Sequence, residues 1–219
     1  MKHWILTVAT CLLLLHTQAQ TQQTDNKLRL GITAGVNFQN INGQDAGGNK
    51  LENQLVPRFQ AGVNADVPLA DDFYLQPGVL FATKGTKFEG NNANLSLSYI
   101  EVPVHLLYKP ALGSSRLLLG FGPYMAFGVG GSITPQNGSS TSVVFQREIN
   151  LVQFASGRYY RPFDAGGNLL FGVETSSRIR LQFNAQLGMV NIAPAVTGLS
   201  GTNNNFRNTG FGISAGYRL

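Results

Sequence analysis

Residues 28–41 read LRLGITAGVNFQNI and alternate between two kinds of side chain. Up to Phe38, one face of this stretch carries only apolar residues, among them Ile32 and Val36. The opposite face carries Arg29, glycines and amides. A period of two predicts a β-strand whose two faces meet different environments.

Seven further segments repeat this pattern along the rest of the chain. Their apolar faces carry no charge, whereas nearly all the strand charges lie on the faces that carry glycine and amides. Such a run of alternating segments predicts an all-β protein. The segments lie at 58–67, 73–84, 99–109, 117–128, 164–174, 178–191 and 209–219.

The composition excludes several other classes of protein. Of the 219 residues, 43% are hydrophobic and only 12% are charged, against about 25% charged in soluble domains. This hydrophobic content argues against a disordered chain, and the 26 glycines argue against a helical bundle. The net charge of +5 comes from scattered basic residues, so no nucleic-acid partner is expected.

The polar faces decide which side of the sheet meets which solvent. A secreted, water-soluble barrel would turn a charged face outward, but these faces are rich in glycine, asparagine and glutamine. A membrane barrel instead turns its apolar face to lipid and its polar face to the lumen. The low charge favours the membrane barrel, and a soluble ligand-binding barrel remains an alternative.

The connections between segments alternate in length, as they do in outer-membrane barrels with short periplasmic turns and long extracellular loops. We therefore predict a transmembrane antiparallel up-and-down β-barrel of eight strands. The short connections lie near 70–72, 111–115 and 176–177, the medium one at 85–94, and the long ones at 42–57, 131–163 and 191–208.

The first 19 residues predict export. Lys2 precedes an apolar stretch at 4–15, and Thr17 and Ala19 supply the small residues of a cleavage site, which together match a secretory signal peptide. Residues 20–26 then form a short N-terminal segment, and 27–219 form the barrel domain. The only cysteine, Cys11, leaves with the leader, so thiol chemistry is not expected in the mature chain. The predicted location is the outer membrane.

The chain also resembles a known family. It is similar to the small outer-membrane β-barrel proteins of Gram-negative bacteria called porin-family or PorT-like barrels, over essentially the whole mature chain. The resemblance implies an outer-membrane lipid environment and brings no catalytic motif, and some members are linked to protein secretion and gliding machinery. The stretches that carry it are GITAGVNF, FQAGVNADVPL, YLQPGVLFATKG, YIEVPVHLLYK, GFGPYMAFG, FDAGGNLLFGVE and GFGISAGYRL.

The polar faces predict a set of charges inside the lumen. Because side chains just fill an eight-stranded barrel, and an unpaired buried charge costs several kcal/mol, we expect a paired network rather than a conduction path. Glu174 and Arg180 flank a short turn, so we predict that they pair near the periplasmic end of the barrel, which we expect to be open to water. The predicted lumen set is Arg29, Arg58, Asp66, Lys84, Glu101, His105, Lys109, Asp164, Glu174, Arg180 and Arg218.

Two further groups of residues suit contacts with partners. Phe211, Ile213, Tyr217 and Leu219 alternate up to the C-terminus and resemble the terminal-strand signal read by the barrel-assembly machinery. The loop stretch FASGRYYRP, residues 154–162, carries a second group. Its side chains predict either a surface for an envelope protein or glycolipid, or tyrosines of the aromatic girdle. This loop group is Arg158, Tyr159, Tyr160 and Arg161.

The residues do not predict an enzyme. His105 is the only histidine outside the leader, and Glu101 lies four residues away, about 13 Å along a strand. No metal or cofactor is expected, since one histidine is too few for a zinc site and no helix follows Gly120 and Gly122. We predict a structural or interaction protein that works through its loops. Passage of small solutes and an accessory role in secretion or gliding are the alternatives.

Overall fold

The computed structural model describes residues 27–45, 47–198 and 204–219. The predicted signal peptide and the segment at 20–26 therefore lie outside the described residues. Eight long strands dominate the described part. They are β1 Arg29–Gln44, β2 Val56–Ala70, β3 Phe73–Phe88, β4 Asn94–Tyr108, β5 Ser115–Thr134, β6 Phe163–Glu174, β7 Ile179–Gly188 and β8 Asn205–Arg218.

Each strand pairs antiparallel with its neighbours in the chain, and β8 pairs with β1 over 14 residue pairs, so the sheet closes on itself. The predicted eight-stranded antiparallel barrel is confirmed. Several strands extend beyond their predicted ends: β3 continues to Phe88, β4 begins at Asn94 and β5 continues to Thr134. The predicted medium loop at 85–94 is consequently reduced to 89–93.

Short elements decorate the connections. The described chain has a single helix, α1 Leu151–Ala155, in the connection between β5 and β6. No helix among the described residues is long and apolar enough to cross a membrane. The two-residue strands are Asn53–Gln54, Ala111–Leu112, Thr141–Ser142, Val144–Phe145, Glu148–Ile149, Tyr159–Tyr160 and Ala195–Val196.

The two ends of the barrel differ. Connections 71–72, 109–114 and 175–178 make one end, called here the turn end, and connections 45–55, 89–93, 135–162 and 189–204 make the other, the loop end. Outer-membrane barrels keep short turns in the periplasm and longer loops outside the cell. By this rule, the turn end is expected to face the periplasm.

Outward side chains form an apolar belt around the barrel. Ile32, Phe121 and Ile213 are each at least 50% exposed, although they are large and apolar. Phe38 of β1 stacks on Phe211 of β8 with ring centroids 5.5 Å apart. Lipid is the solvent that such a surface requires, because a large exposed apolar area in water would drive association.

An arginine placed in this belt tests the orientation of the faces. Ile213 lies near the middle of β8, so Ile213→Arg is expected to lower the free energy of unfolding by about 2–4 kcal/mol. Leu28→Arg, at the turn-end edge, should cost only about 0–1 kcal/mol. Urea titration of both variants in lipid vesicles, followed by gel mobility, measures the two costs. Equal costs would show that Ile213 does not face the hydrocarbon core.

An apolar cluster closes the loop-end half of the lumen. Inward side chains of β4, such as Leu97 and Tyr99, pack there against loop side chains that fold back into the barrel mouth. Close packing extends to Gly128, where an added Cβ would lie 2.3 Å from the ring of Phe145. The apolar plug consists of Ile41, Leu95, Leu97, Tyr99, Tyr124, Ala126, Val143, Tyr160 and Ile192.

Backbone hydrogen bonds fix the loops over this plug. The N–H of Gly128 donates to the carbonyl of Pro162 at 2.7 Å, and the N–H of Arg161 donates to the carbonyl of Ile192 at 2.8 Å. Ile192 in turn donates to Phe206 at 2.9 Å. The connection between β5 and β6 is thus tied to β5, to the last loop and, through that loop, to β8.

Candidate functional site

Four buried charges close the lumen at the turn end. Asp66 accepts from Lys109 Nζ at 2.8 Å and forms a short ion pair with the guanidinium of Arg180. Glu174 lies 2.9 Å from Lys109 Nζ and 2.7 Å from Arg180 Nε. All four side chains are at most 2% exposed. Two cations and two carboxylates therefore balance within this group, the turn-end cluster, as the burial of charge requires.

The predicted pair of Glu174 and Arg180 is present, and the two residues face each other in the register of β6 and β7. The expectation that this end is wet is wrong. The pair is buried because Lys109 and Asp66 fill the lumen beside it, and Arg218 Nε lies over Glu174 at 3.2 Å. Lys109 is further covered by the ring of Tyr74, whose centroid lies 4.9 Å from Nζ.

A second group of charges lies deeper in the lumen, toward the loop end. Lys84 Nζ lies 2.8 Å from Glu101 and 3.1 Å from Asp164, and these side chains are at most 3% exposed. Tyr124 donates its hydroxyl to Asp164 at 3.2 Å, and its ring centroid lies 4.1 Å from Lys84 Nζ. Asn208 also donates to Asp164, at 2.9 Å. This group, Lys84, Glu101 and Asp164, is the loop-side cluster.

The two clusters join strands that are far apart in the sequence. Lys84 on β3 and Asp164 on β6 are 80 residues apart, and Asp66 on β2 and Arg180 on β7 are 114 apart. Around the barrel wall, β4 and β5 lie between the first two strands, and β1 and β8 lie between the other two. Such pairs therefore cross the lumen rather than join neighbouring strands. The charged side chains therefore fill the interior and bind opposite walls together.

The remaining predicted lumen residues occupy separate places. Arg29 is half-buried at the turn end, opposite Asp66 in the register of β1 and β2. Arg58 braces the loop end, where its Nη2 donates to Asn94 Oδ1 and to the carbonyl of Leu95, both at 2.6 Å. His105 is 8% exposed, and its Nε2 has no hydrogen-bond partner among the described residues.

Small polar cavities remain between the two clusters. Two cavities of about 40 Å³ each share His105, Gln60 and Asn184 in their linings. Further buried amide atoms nearby, including Asn37 Oδ1 and Gln182 Nε2, have no partner among the described residues. A space of this size holds only a few waters. We expect ordered waters to satisfy these atoms.

The loop group predicted around residue 160 does not form one exposed surface. Tyr160 is 3% exposed and packs in the apolar plug, where burial raises the pKa of its hydroxyl. It is neither a partner-binding side chain on the surface nor part of a lipid-facing girdle, so both predictions are wrong for Tyr160. Tyr159 is half-buried and Arg158 lies over its ring at 5.7 Å. Arg158 and Arg161 are half-buried, and each has a buried Nε without a partner in the described chain.

The predicted assembly residues lie on the outer face of β8 and at the terminus behind it. Phe211, Ile213, Tyr217 and Leu219 are between 42% and 61% exposed. The strand that carries them closes the barrel against β1. Their recognition by the assembly machinery stays a prediction.

A larger cavity, which the sequence did not indicate, opens among the connections at the loop end. Its volume is about 360 Å³. The helix α1 contributes one wall and is fixed by a capping box, in which Asn150 and Gln153 exchange side-chain-to-backbone hydrogen bonds. Val152, on the same helix, is 82% exposed. The lining includes Phe88, Ile149, Phe154, Tyr159, Tyr160 and Phe206.

Comparison with known families identifies the class of protein. Residues 18–193 match the family model of the outer membrane protein beta-barrel domain. The chain belongs to this family. Membership agrees with the closed barrel and its apolar belt, and the outer-membrane location predicted from the sequence is confirmed.

Three solved outer-membrane proteins are similar to this outer membrane beta-barrel domain at low identity. Ail of Yersinia pestis, in complex with the heparin analogue sucrose octasulfate, is 11% identical over 88% of this chain and 99% of its own, with a TM-score of 0.42. Neisserial surface protein A is 13% identical over 87% and 97%, with a TM-score of 0.45. A major outer membrane protein of Thermus thermophilus is 14% identical over 88% and 99%, with a TM-score of 0.46. No curated protein matches the chain.

Proposed function

We propose that the protein is a closed outer-membrane barrel that acts as an interaction module through its loop end, without a catalytic step. The observation that carries this proposal is the filling of the lumen. The turn-end cluster, the loop-side cluster and the apolar plug follow one another along its length. A barrel closed in this way supplies an anchor, and its working surface is then the loop end.

The chemistry of the lumen also favours a role without catalysis. A catalytic histidine needs a partner that orients its ring and a substrate that reaches it. His105 Nε2 has no hydrogen-bond partner in the described chain. Glu101, the nearest carboxylate along the same strand face, is held by Lys84 at 2.8 Å and by Gln186 at 2.9 Å. This arrangement supports a filling role for both residues.

Planar-bilayer recordings test the closed lumen. The purified barrel is expected to give no stable conductance steps, because buried ion pairs and the plug block the path. A sixteen-stranded porin, whose wide lumen holds an aqueous channel, is the positive control in the same bilayer. Large, stable steps from this barrel would overturn the proposal and favour passage of small solutes.

Replacement of the connection around α1 tests the interaction surface. In this variant, residues 146–157 are exchanged for a glycine-serine linker of equal length. We expect the barrel to keep its heat-dependent gel mobility and to lose crosslinks to envelope partners on intact cells. In a control variant, a glycine-serine linker of matching length replaces residues 89–93. Unchanged crosslinks in the α1 variant would refute a working surface at this connection. A secretion or gliding partner among the crosslinks would identify the accessory role implied by the family resemblance.

A further inference from the structure

We infer that the loop-end cavity is a binding site for a small and mainly apolar molecule that carries a hydrogen-bonding group and no negative charge. This inference rests on the proposed function and names a ligand class for the same end of the barrel. It follows from the size of the cavity, the chemistry of its walls and the way the fold fixes them.

The size and the walls suit a small apolar ligand. A volume of about 360 Å³ lies within the roughly 300–1,000 Å³ of typical small-molecule sites. Phe88 comes from the end of β3, Phe206 from the start of β8, and Phe154 from α1. Because three separate parts of the chain supply aromatic side chains, a ligand here would contact apolar groups on several sides.

The hydroxyl of Tyr160 is available to a ligand in the cavity. Tyr160 is 3% exposed and lines the cavity, and no hydrogen bond to its hydroxyl is present in the described part of the chain. The hydroxyl oxygen itself is reached from the cavity. A ligand that places a donor or an acceptor beside it would form this hydrogen bond in place of water.

The charge of the lining disfavours anions. Asp45 is the one charged side chain in the lining as far as the structure describes it. Hydrogen bonds from the backbone and side chain of Asn49, with one from the N–H of Gly47, hold the pKa of the Asp45 carboxyl below its usual value. A carboxyl is ionised at neutral pH, so the lining carries a negative charge that disfavours a carboxylate ligand.

The walls are preorganised, which lowers the cost of binding. Tyr160 is packed in the apolar plug, and its carbonyl accepts from the N–H of Gln146 at 2.8 Å. The capping box of α1 fixes Phe154 from the other side, since Asn150 accepts from the N–H of Gln153 at 2.8 Å. The walls of the site therefore do not have to become ordered when a ligand binds.

Three small molecules that share the indole ring system and differ in their side chain test the ligand class. Binding is measured by isothermal titration calorimetry on the full barrel in lipid nanodiscs, with empty nanodiscs as the blank. Tryptophol, which is neutral and carries a hydroxyl, is expected to bind saturably. 3-Ethylindole, without the hydroxyl, should bind about fivefold more weakly. Indole-3-acetate, which is anionic, should bind at least about tenfold more weakly than tryptophol. Absence of saturable binding by all three, or preference for the anion, would overturn the inference.

Variants on one helix place the binding in the cavity. Phe154→Ala is expected to weaken tryptophol binding about tenfold, whereas Val152→Ala, on the same helix but outside the lining, should leave it unchanged. Tyr160→Phe should remove the preference for tryptophol over 3-ethylindole and leave 3-ethylindole binding unchanged. Equal effects of Phe154→Ala and Val152→Ala would refute binding in the cavity.

The experiments separate the small-molecule site from the interaction role of the loop end. Suppose that no probe binds, that the barrel does not conduct, and that replacement of the α1 connection abolishes the crosslinks to envelope partners. The interaction role then stands, and the small-molecule site is refuted. If the barrel conducts, the proposed function fails whatever the probes do.

Discussion

Replacement of Asp66 by asparagine is expected to lower the free energy of unfolding by about 3–5 kcal/mol. Asp66 is fully buried and lies between Lys109 and Arg180. Its neutralisation leaves these two buried cations with Glu174 as their remaining carboxylate in the turn-end cluster. Asparagine keeps the shape of the side chain, so the loss of charge rather than a cavity dominates the effect.

An exposed ion pair supplies the matched control. Asp72 lies 2.9 Å from Arg116, and both side chains are 39% exposed, so Asp72→Asn should cost less than about 1 kcal/mol. Trp4 is the only tryptophan and belongs to the predicted leader, so unfolding in urea is followed by circular dichroism and gel mobility. A difference of less than about 1 kcal/mol between the two variants would show that the turn-end cluster does not stabilise the barrel through its buried charges.

The barrel itself was predictable because its two faces differ chemically. A period of two in sequences such as that of β1 separates apolar from polar residues, and the low charge content decides which of them meets lipid. The Glu174–Arg180 pair was predictable for a related reason. A short turn places the two residues opposite each other, and only local register is needed to find the pair.

The rest of the lumen network depends on how the barrel closes. The alternation of side chains along each strand is enough to place Lys84 and Asp164 in the lumen. Their 3.1 Å contact depends in addition on the register offsets of the strands that lie between them. No local pattern in the sequence carries these offsets. The sequence therefore predicted the members of the network without predicting most of the pairs.

The apolar plug was missed, although part of its signal is present in the sequence. In residues 95–99, Leu95, Leu97 and Tyr99 share the parity of the lumen residues Glu101 and His105. Serines 96 and 98 share the outward parity. This local inversion is the pattern of a sheet in water, where apolar side chains face inward, and it is what we expect of a part of β4 that extends beyond the lipid. Tyr160 carries no such signal, because its loop has no periodicity.

Replacement of Lys84 by methionine is the second change with a large expected effect. Lys84 Nζ is the cation of the loop-side cluster, 2.8 Å from Glu101 and 3.1 Å from Asp164. Without it, two buried carboxylates lack their cation, and we expect a loss of about 3–5 kcal/mol in the free energy of unfolding. Lys87→Met, on the same strand but on the half-exposed outer side, should change it by less than about 0.5 kcal/mol.

Rescue by neutralisation separates the effect of charge from that of packing. If uncompensated charge causes the loss, Lys84→Met combined with Glu101→Gln and Asp164→Asn should recover most of the stability, because a buried ionic group is replaceable by neutral residues of similar volume. Urea unfolding of the single and triple variants measures the recovery. No recovery would mean that uncompensated charge is not the main cause of the loss, because the triple variant removes that charge.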